Sequence, residues 1–421
     1  MNSNSSDLTG SGTHKLTVRE KYLQICNNLM VNGTKGRRNY EDSSSGFFRN
    51  QFEEDRYRII SCSAFRRLAS KTQLFMANEV KKDHIRNRMT HSLEVGCIAR
   101  YIADGLGLNG SLADVVGTVH DLGHAPFGHS GERILDDIMK NHGSRFFHNE
   151  HTFKLITFLS SRLGQNGLNL TWETLDGTLK HNGPLVAARG DLSHYEYINF
   201  YNREMANSNP SLEFDLSKFS SLESQCAAIA DDISYINHDL EDCISLGMLS
   251  LNDLRENDFF NNLITEAEKM ASHDDEIGVI KYIKVASSQM FVEDAIFATM
   301  NNIVESGVQC TDDVYNCGIQ LVGLSPYFND ALEFARNIFR EKVYYCEQNK
   351  NAEGEKGAKL ENIFYWIKDN PHLVDGKSWR LRLESENEPI EGVICDYIAC
   401  MSDDYVTKFY QKIENQALEL I

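Results

Sequence analysis

Histidine and aspartate recur in three separated pieces of this chain, RNRMTHSLEV, TVHDLGHAPFGH and AIADDISY, which offer His91, the adjacent pair His120 and Asp121, and Asp231. Two imidazoles and two carboxylates suit a divalent cation, and such a cation beside a phosphate activates water for hydrolysis. Eight of the 14 histidines fall between His84 and His151, too dense a cluster to be scattered surface residues. Residues 51–100 hold ten Lys and Arg against six Asp and Glu, a local +4 in a chain of net charge −19. The set includes Arg56, Arg58, Arg66, Arg67, Lys71, Lys81, Lys82, Arg86 and Arg88. It predicts a positive pocket for a small polyanion, with a solvated helix face of mixed charge as the alternative. The acidic whole argues against general coating of nucleic acid.

The elements that must position these groups read as helices, because prolines number only six and long 3.6-residue patterns dominate. From His91 the apolar residues Leu93, Val95, Ile98, Ala99, Ile102 and Leu106 recur at helical spacing and stop at Gly107. A second helix is expected after Ser111 as N-cap, ending near Gly123 just beyond His120 and Asp121. Between about Ser224 and Leu246, Ile229, Ile233, Ile236, Leu240 and Ile244 make one apolar stripe. Asp231, Tyr235 and Asp239 then stack at i, i+4 and i+8 on roughly the opposite face, where the default reading is a solvated acidic surface. FVEDAIFATMNNIV and PYFNDALEFARNIF continue the helical pattern, whereas SSRLGQNGLNL, NSNPSLEFD and EQNKNAEGEKGAK read as polar connections. The expectation is an all-α protein with a flexible tail over 1–17, a catalytic core over 18–250 and a C-terminal helical region over 251–421 packed on it.

With 421 residues and 41% hydrophobic content the chain can bury a substantial core, as two or three lobes or as one helical body. No apolar run is long enough for a membrane span and the start has no signal-like apolar core, so a cytoplasmic location and no membrane partner are expected. The ten cysteines include no CxxC pair and read as reduced core thiols. The phosphate loop, GxGxxG, HExxH and GxSxG patterns are all missing; PHLVDGKS has a Gly-Lys-Ser end, but Pro371 stands where the loop needs glycine.

At RNRMTHSLEV, HDLGHAPFGHSGE and ADDISYINHDLED the sequence resembles the HD-domain deoxynucleoside triphosphate triphosphohydrolases, the dGTPase family. The likeness extends to RYRIISCSAFRRLASKTQLF and, more weakly, to CDYIACMSDDYVTKFY. It implies an HD-domain helical fold with additional C-terminal helices, and cleavage of a deoxynucleoside triphosphate, typically dGTP, to deoxynucleoside and inorganic triphosphate with Mg, Mn or a similar divalent ion. Carried over by motif, His91, His120, Asp121 and Asp231 are the metal ligands, and Arg88 grips a phosphate. His129 and Glu132 form the catalytic dyad, with Glu132 orienting His129, and His124 contacts phosphate. Gln73, Tyr235 and Asp239 face sugar and base, and His148 lines the pocket or is structural. Family members form homo-oligomers, often hexamers or tetramers, some activated by a dNTP or by single-stranded DNA. Two departures stand out: Asp232 occupies the place of a lysine found in animal members, and DYIACMSDDY has Cys400 and Asp404 where many bacterial members have Gly and Arg. Two other readings remain: an HD phosphohydrolase acting on another nucleotide, and a non-catalytic nucleotide or single-strand sensor.

Overall fold

The structure is a computed structural model that describes residues 16–37, 50–73, 86–162, 164–186, 195–270, 276–344, 347–385 and 388–418. Its helices run in chain order. The first ten are α1 Val18–Leu29, α2 Gln51–Ser61, α3 Ser63–Arg67, α4 Arg88–Gly105, α5 Gly110–Val119, α6 Gly128–Lys140, α7 His148–Lys154, α8 Trp172–Lys180, α9 Glu196–Ser208 and α10 Leu222–Ser245. They are followed by α11 Leu251–Leu254, α12 Asp258–Met270, α13 Glu276–Ser306, α14 Thr311–Asn316, α15 Pro326–Phe339, α16 Glu347–Asp369, α17 Lys377–Leu383, α18 Ile390–Ala399 and α19 Asp403–Leu418. The two-residue strands Ser161–Arg162 and Gln165–Asn166 form an antiparallel ribbon. The fold is therefore the expected all-α one.

Three helices frame the site, and each is formed by local chemistry. In α4 the Asn87 side chain accepts from Thr90 N–H, and Val95, Ala99, Ile102 and Ala103 are buried before the chain turns at Gly107, φ 67°. In α5 the cap is Asn109, whose side chain accepts from Leu112 N–H, and not Ser111; the Ser111 hydroxyl instead accepts from Asn50. In α10 the Ser221 side chain accepts from Ser224 N–H, and the stripe Ile229, Ile233, Ile236, Leu240 and Ile244 is buried as its spacing requires. Gly96 of α4 and Gly117 of α5 let this antiparallel pair touch backbone to backbone: a Cβ on Gly117 would lie 2.9 Å from Gly96 Cα.

Apolar packing among the described residues falls into two clusters. The larger extends from Tyr22 to Val343. The smaller joins Leu135, Ile138 and Met139 of α6 to Leu360, Ile363 and Phe364 of α16 and to Val393, Ile394 and Ile398 of α18. The C-terminal helices thus grip the helix that carries Glu132. EQNKNAEGEKGAK, read above as a connection, is the first half of α16. Its Glu, Lys and Ala residues favour helix, and the segment continues into the buried face at Leu360 and Ile363. No helix of the described residues is long and apolar enough to cross a membrane.

Candidate active site

The α4–α5 pairing brings the start of one helix beside the end of the other, and α10 closes the corner. His91, in the first turn of α4, places Nε2 3.0 Å from Asp231 Oδ1 and 3.8 Å from Asp121 Oδ2. His120, which ends α5, places Nε2 3.5 Å from Asp231 Oδ1 and 3.3 Å from Asp121 Oδ1. One donor atom each of His91, His120 and Asp231 lies within 4.8 Å of the others. The remaining ring nitrogens are engaged: His120 Nδ1 donates to Gly117 O at 2.7 Å, which leaves Nε2 as the free donor atom. His91 Nδ1 sits 3.5 Å from His238 Nδ1, and His238 Nε2 rests on the Glu94 carboxylate.

Electrostatics tests whether a metal fits this corner. Burial alone would lower the His120 imidazole, but the charges of Asp121 and Asp231 outweigh it and raise it to about 9. Burial would raise the Asp231 carboxyl, yet His120 and His91 hold it well below the usual carboxylate range. The carboxylate pair thus draws positive charge to this point, which a divalent cation would supply instead. His120 Nε2 is buried without an aligned hydrogen-bond partner among the described residues. His91, His120, Asp121 and Asp231 could hold such an ion.

A second wall adjoins it through Asp121. Arg88, fully buried, donates from Nη1 to Asp121 Oδ2 at 2.6 Å and from Nε to Thr72 O at 3.2 Å, while Nη2 has no partner among the described residues. His124 Nδ1 lies 3.2 Å from Asp121 Oδ1 but off line, so neither His124 ring nitrogen has an aligned partner there. The His124 ring lies 3.9 Å from the His148 ring, tilted by 33°, and stands edge-on to His129 at 5.0 Å. Burial, then Arg88, holds the His124 imidazole well below its ordinary value, and His129 is lowered by burial, Arg88 and His148. Unpaired buried polar atoms beside a guanidinium make a wall for an anion. α6 is preceded by Phe127, which is left-handed (φ 65°, ψ 20°) and followed by Gly128 at φ 60°. Such a backbone costs about 1–3 kcal/mol in a non-glycine residue and persists only where neighbours enforce it.

The structure redistributes two expectations. Glu132 was expected to orient His129, but its hydrogen bonds go to His148: Nδ1 lies 2.9 and 3.0 Å from the two carboxylate oxygens, and the His148 backbone N–H donates at 3.0 Å. Burial would raise the Glu132 carboxyl, yet the His148 charge and these bonds hold it well below its usual range. His129 and Glu132 lie one turn apart on α6 with donor atoms within 4.8 Å, together with His124. The basic run is largely engaged elsewhere. Arg56 pairs with Asp114 at 2.9 Å, Arg58 with Glu54 at 3.2 Å and Arg86 with Glu241 at 2.7 Å. Lys71 donates to the carbonyls of His124 and Ala399. Unlike these four, Arg88 presents an unpaired donor to the site; Lys81 and Lys82 lie outside the described residues.

Tyr235 and Asp239 continue the Asp231 line along α10. Tyr235 is half-buried and edge-on to Phe339 at 5.7 Å, and Asp239 is buried, so this face is not the solvated surface its charges suggest. Gln73 follows Thr72 beside Arg88, and its Oε1 is buried without a partner among the described residues. Sequence reasoning missed His238 and Glu94 behind His91, and also Arg336 of α15, which pairs with Asp232 next to Asp231. Burial pushes the Asp232 carboxyl up to about 6 against the pull of Arg336. His238 lies seven residues beyond Asp231 on α10, a spacing of two turns that could have flagged it.

The HD domain family matches residues 88–236, and the phosphohydrolase-associated domain matches residues 322–412. A Rickettsia bellii protein described as deoxyguanosinetriphosphate triphosphohydrolase-like is 35% identical over 368 residues, covering 87% of this chain and 92% of its own. Counterparts with the same description from Rickettsia rickettsii and Rickettsia prowazekii are each 36% identical, with the same coverage. The helical fold and this corner of histidines and aspartates define an HD-domain phosphohydrolase. The chain belongs to the family of deoxyguanosinetriphosphate triphosphohydrolase-like proteins.

Proposed function

We propose that this protein hydrolyses deoxynucleoside triphosphates, dGTP foremost, to the deoxynucleoside and inorganic triphosphate, with Mg or Mn in the His91–His120–Asp121–Asp231 corner. The observation that carries this reading is that one carboxylate, Asp121, faces both the metal corner and the Arg88 guanidinium, whose Nη2 is left over for a ligand. A bound cation there supplies positive charge to a phosphate oxygen and acidifies water. Arg88 adds a second, fixed positive charge for the triphosphate, and the neutral faces of His124 and His129 add polar contacts without competing charge. Arg336, paired with Asp232, is a further cation beside the residue that follows Asp231.

Release of a deoxynucleoside requires water to attack the α-phosphorus while the bond from phosphorus to the 5′ oxygen breaks. That oxygen is a poor leaving group and needs a proton. His148 is the imidazole built to give one. Its Nδ1 is held by Glu132, which fixes the ring and leaves Nε2 as the atom to carry that proton. The dyad of this reading is therefore Glu132 with His148, and His129 lines the phosphate wall. Tyr235 provides a surface where a 2′-hydroxyl would clash, and Asp239 and Gln73 supply polar groups for the 3′-hydroxyl and base. Leaving such groups unpaired costs about 1–3 kcal/mol.

The test is incubation of purified protein with dGTP and Mn or Mg. Deoxyguanosine and triphosphate in equal amounts are expected; dGMP with pyrophosphate, or no turnover with any of the four dNTPs alone or in pairs, refutes the reading. The same panel, run alongside sedimentation, reports the expected homo-oligomer and any activation by a second dNTP or single-stranded DNA.

A further inference from the structure

The turn between α18 and α19 reaches the site through one buried carboxylate. Asp403, the first residue of α19, is 3% exposed. Its Oδ1 accepts from Phe127 N–H at 2.9 Å, and its Oδ2 accepts from Thr72 N–H at 2.8 Å and from the Thr72 hydroxyl. These partners lie 276 and 331 residues away along the chain. Each leads directly into the anion wall. Phe127 is the left-handed residue just before α6, so the bond from its N–H helps hold a strained turn, and α6 carries His129 and Glu132. Thr72 uses its carbonyl to fix Arg88 Nε at 3.2 Å, and the Lys71 carbonyl accepts the Arg88 backbone N–H at 3.2 Å.

The two branches also meet. A Cβ on Gly128, the residue after Phe127, would stand 2.8 Å from Arg88 Nη2, so the α6 turn and the free edge of the guanidinium are in contact. A second tie runs parallel to the first: Lys71 Nζ bridges His124 O at 2.5 Å and Ala399 O at 2.8 Å, the latter at the end of α18. Three hydrogen bonds on one carboxylate, each to a segment that shapes the wall, exceed what capping a surface helix needs.

We propose that Asp403 is a positioning residue that sets the Arg88 guanidinium and the α6 turn for a triphosphate, which makes the α18–α19 corner part of the phosphate site. This rests on the proposed hydrolysis of deoxynucleoside triphosphates. Asp403→Asn puts an amide donor against N–H groups, so at least one of the three bonds is lost and one donor is left facing another.

The experiment compares full-length wild type and Asp403→Asn in three measurements: calorimetric binding of inorganic triphosphate, calorimetric binding of Mn2+, and steady-state hydrolysis of dGTP. Triphosphate affinity and kcat/KM are expected to fall about tenfold or more, as for loss of a charge-assisted bond, while Mn2+ affinity changes less than threefold. Unchanged triphosphate affinity and kcat/KM in a folded variant overturn the proposal. So does a parallel loss of Mn2+, which marks general loosening of the site. Where Asp403→Asn fails to fold, Thr72→Val, which removes only the hydroxyl, must show the same selective loss, and its absence overturns the proposal. Failure of wild-type protein to bind triphosphate or turn over any dNTP counts instead against the hydrolytic function.

Discussion

Gly117→Ala tests whether the metal corner depends on backbone contact between α4 and α5. A Cβ there would lie 2.9 Å from Gly96 Cα, 3.0 Å from Gly96 N and 3.1 Å from the Val95 carbonyl carbon. These are main-chain atoms that cannot rotate aside, and carbon contacts settle at about 3.5–4.0 Å. The helices must therefore part by roughly 0.5–1 Å. Two terms oppose each other in stability: alanine gains about 0.8–1 kcal/mol of helix propensity, and overpacking costs ~1–3 kcal/mol. The net change in folding free energy is small, a loss of up to about 2 kcal/mol in urea denaturation. The site is more sensitive, because His91 begins α4 and His120 ends α5, and both approach one Asp231 oxygen. Metal sites tolerate about 0.2 Å in ligand distance, and a misplacement of 1 Å can cost ~100-fold in rate. Mn2+ affinity measured by calorimetry is expected to fall at least tenfold, and dGTP hydrolysis about 100-fold. Gly392→Ala is the control, since Gly392 lies in α18 and a Cβ added there would meet nothing within 4 Å. It should gain up to about 1 kcal/mol and bind metal as wild type does. Wild-type Mn2+ affinity in Gly117→Ala would show that helix proximity does not set the ligand geometry.

Two further outcomes concern groups outside the ligand set. His238→Ala removes the contact on His91 Nδ1, and loss of such a supporting bond should weaken Mn2+ binding about 10- to 100-fold in a folded protein; unchanged affinity by calorimetry discards the relay from Glu94 through His238. Glu150 accepts from Tyr197 and Ile198 N–H on one oxygen, and burial pushes its carboxyl up to about 7. A carboxyl raised on folding stabilises fully below its unfolded value of 4.5, and that contribution is lost as pH rises through 7. Glu150→Gln keeps the acceptor oxygen and cannot ionise, so its stability relative to wild type should climb from pH 5 to 8 by ~1.4 kcal/mol per pH unit at most. A flat or falling difference in urea midpoints contradicts the assignment.

Fold class and the residue types that meet in the corner were legible because both are written within a few turns of chain. The Ile229–Ile244 stripe, the apolar repeat after His91 and the helix end at Gly107 depend on neighbours three or four residues away. Partner choice was not legible where several groups compete at similar sequence distance. Asn109 won the α5 cap from Ser111 by two residues. The polar half of α16 joined a helix because of packing that begins only at Leu360.

The sequence by itself determined which side chains could ligate a cation and which helices would carry them, since periodicity and capping are local. Only the tertiary structure decided that Glu132 holds His148, that Arg56, Arg58 and Arg86 are neutralised by acids while Arg88 keeps a free edge, and that Asp403 meets Thr72 from 331 residues away. Charge pairing follows distance through space, and that distance is fixed only when remote helices pack.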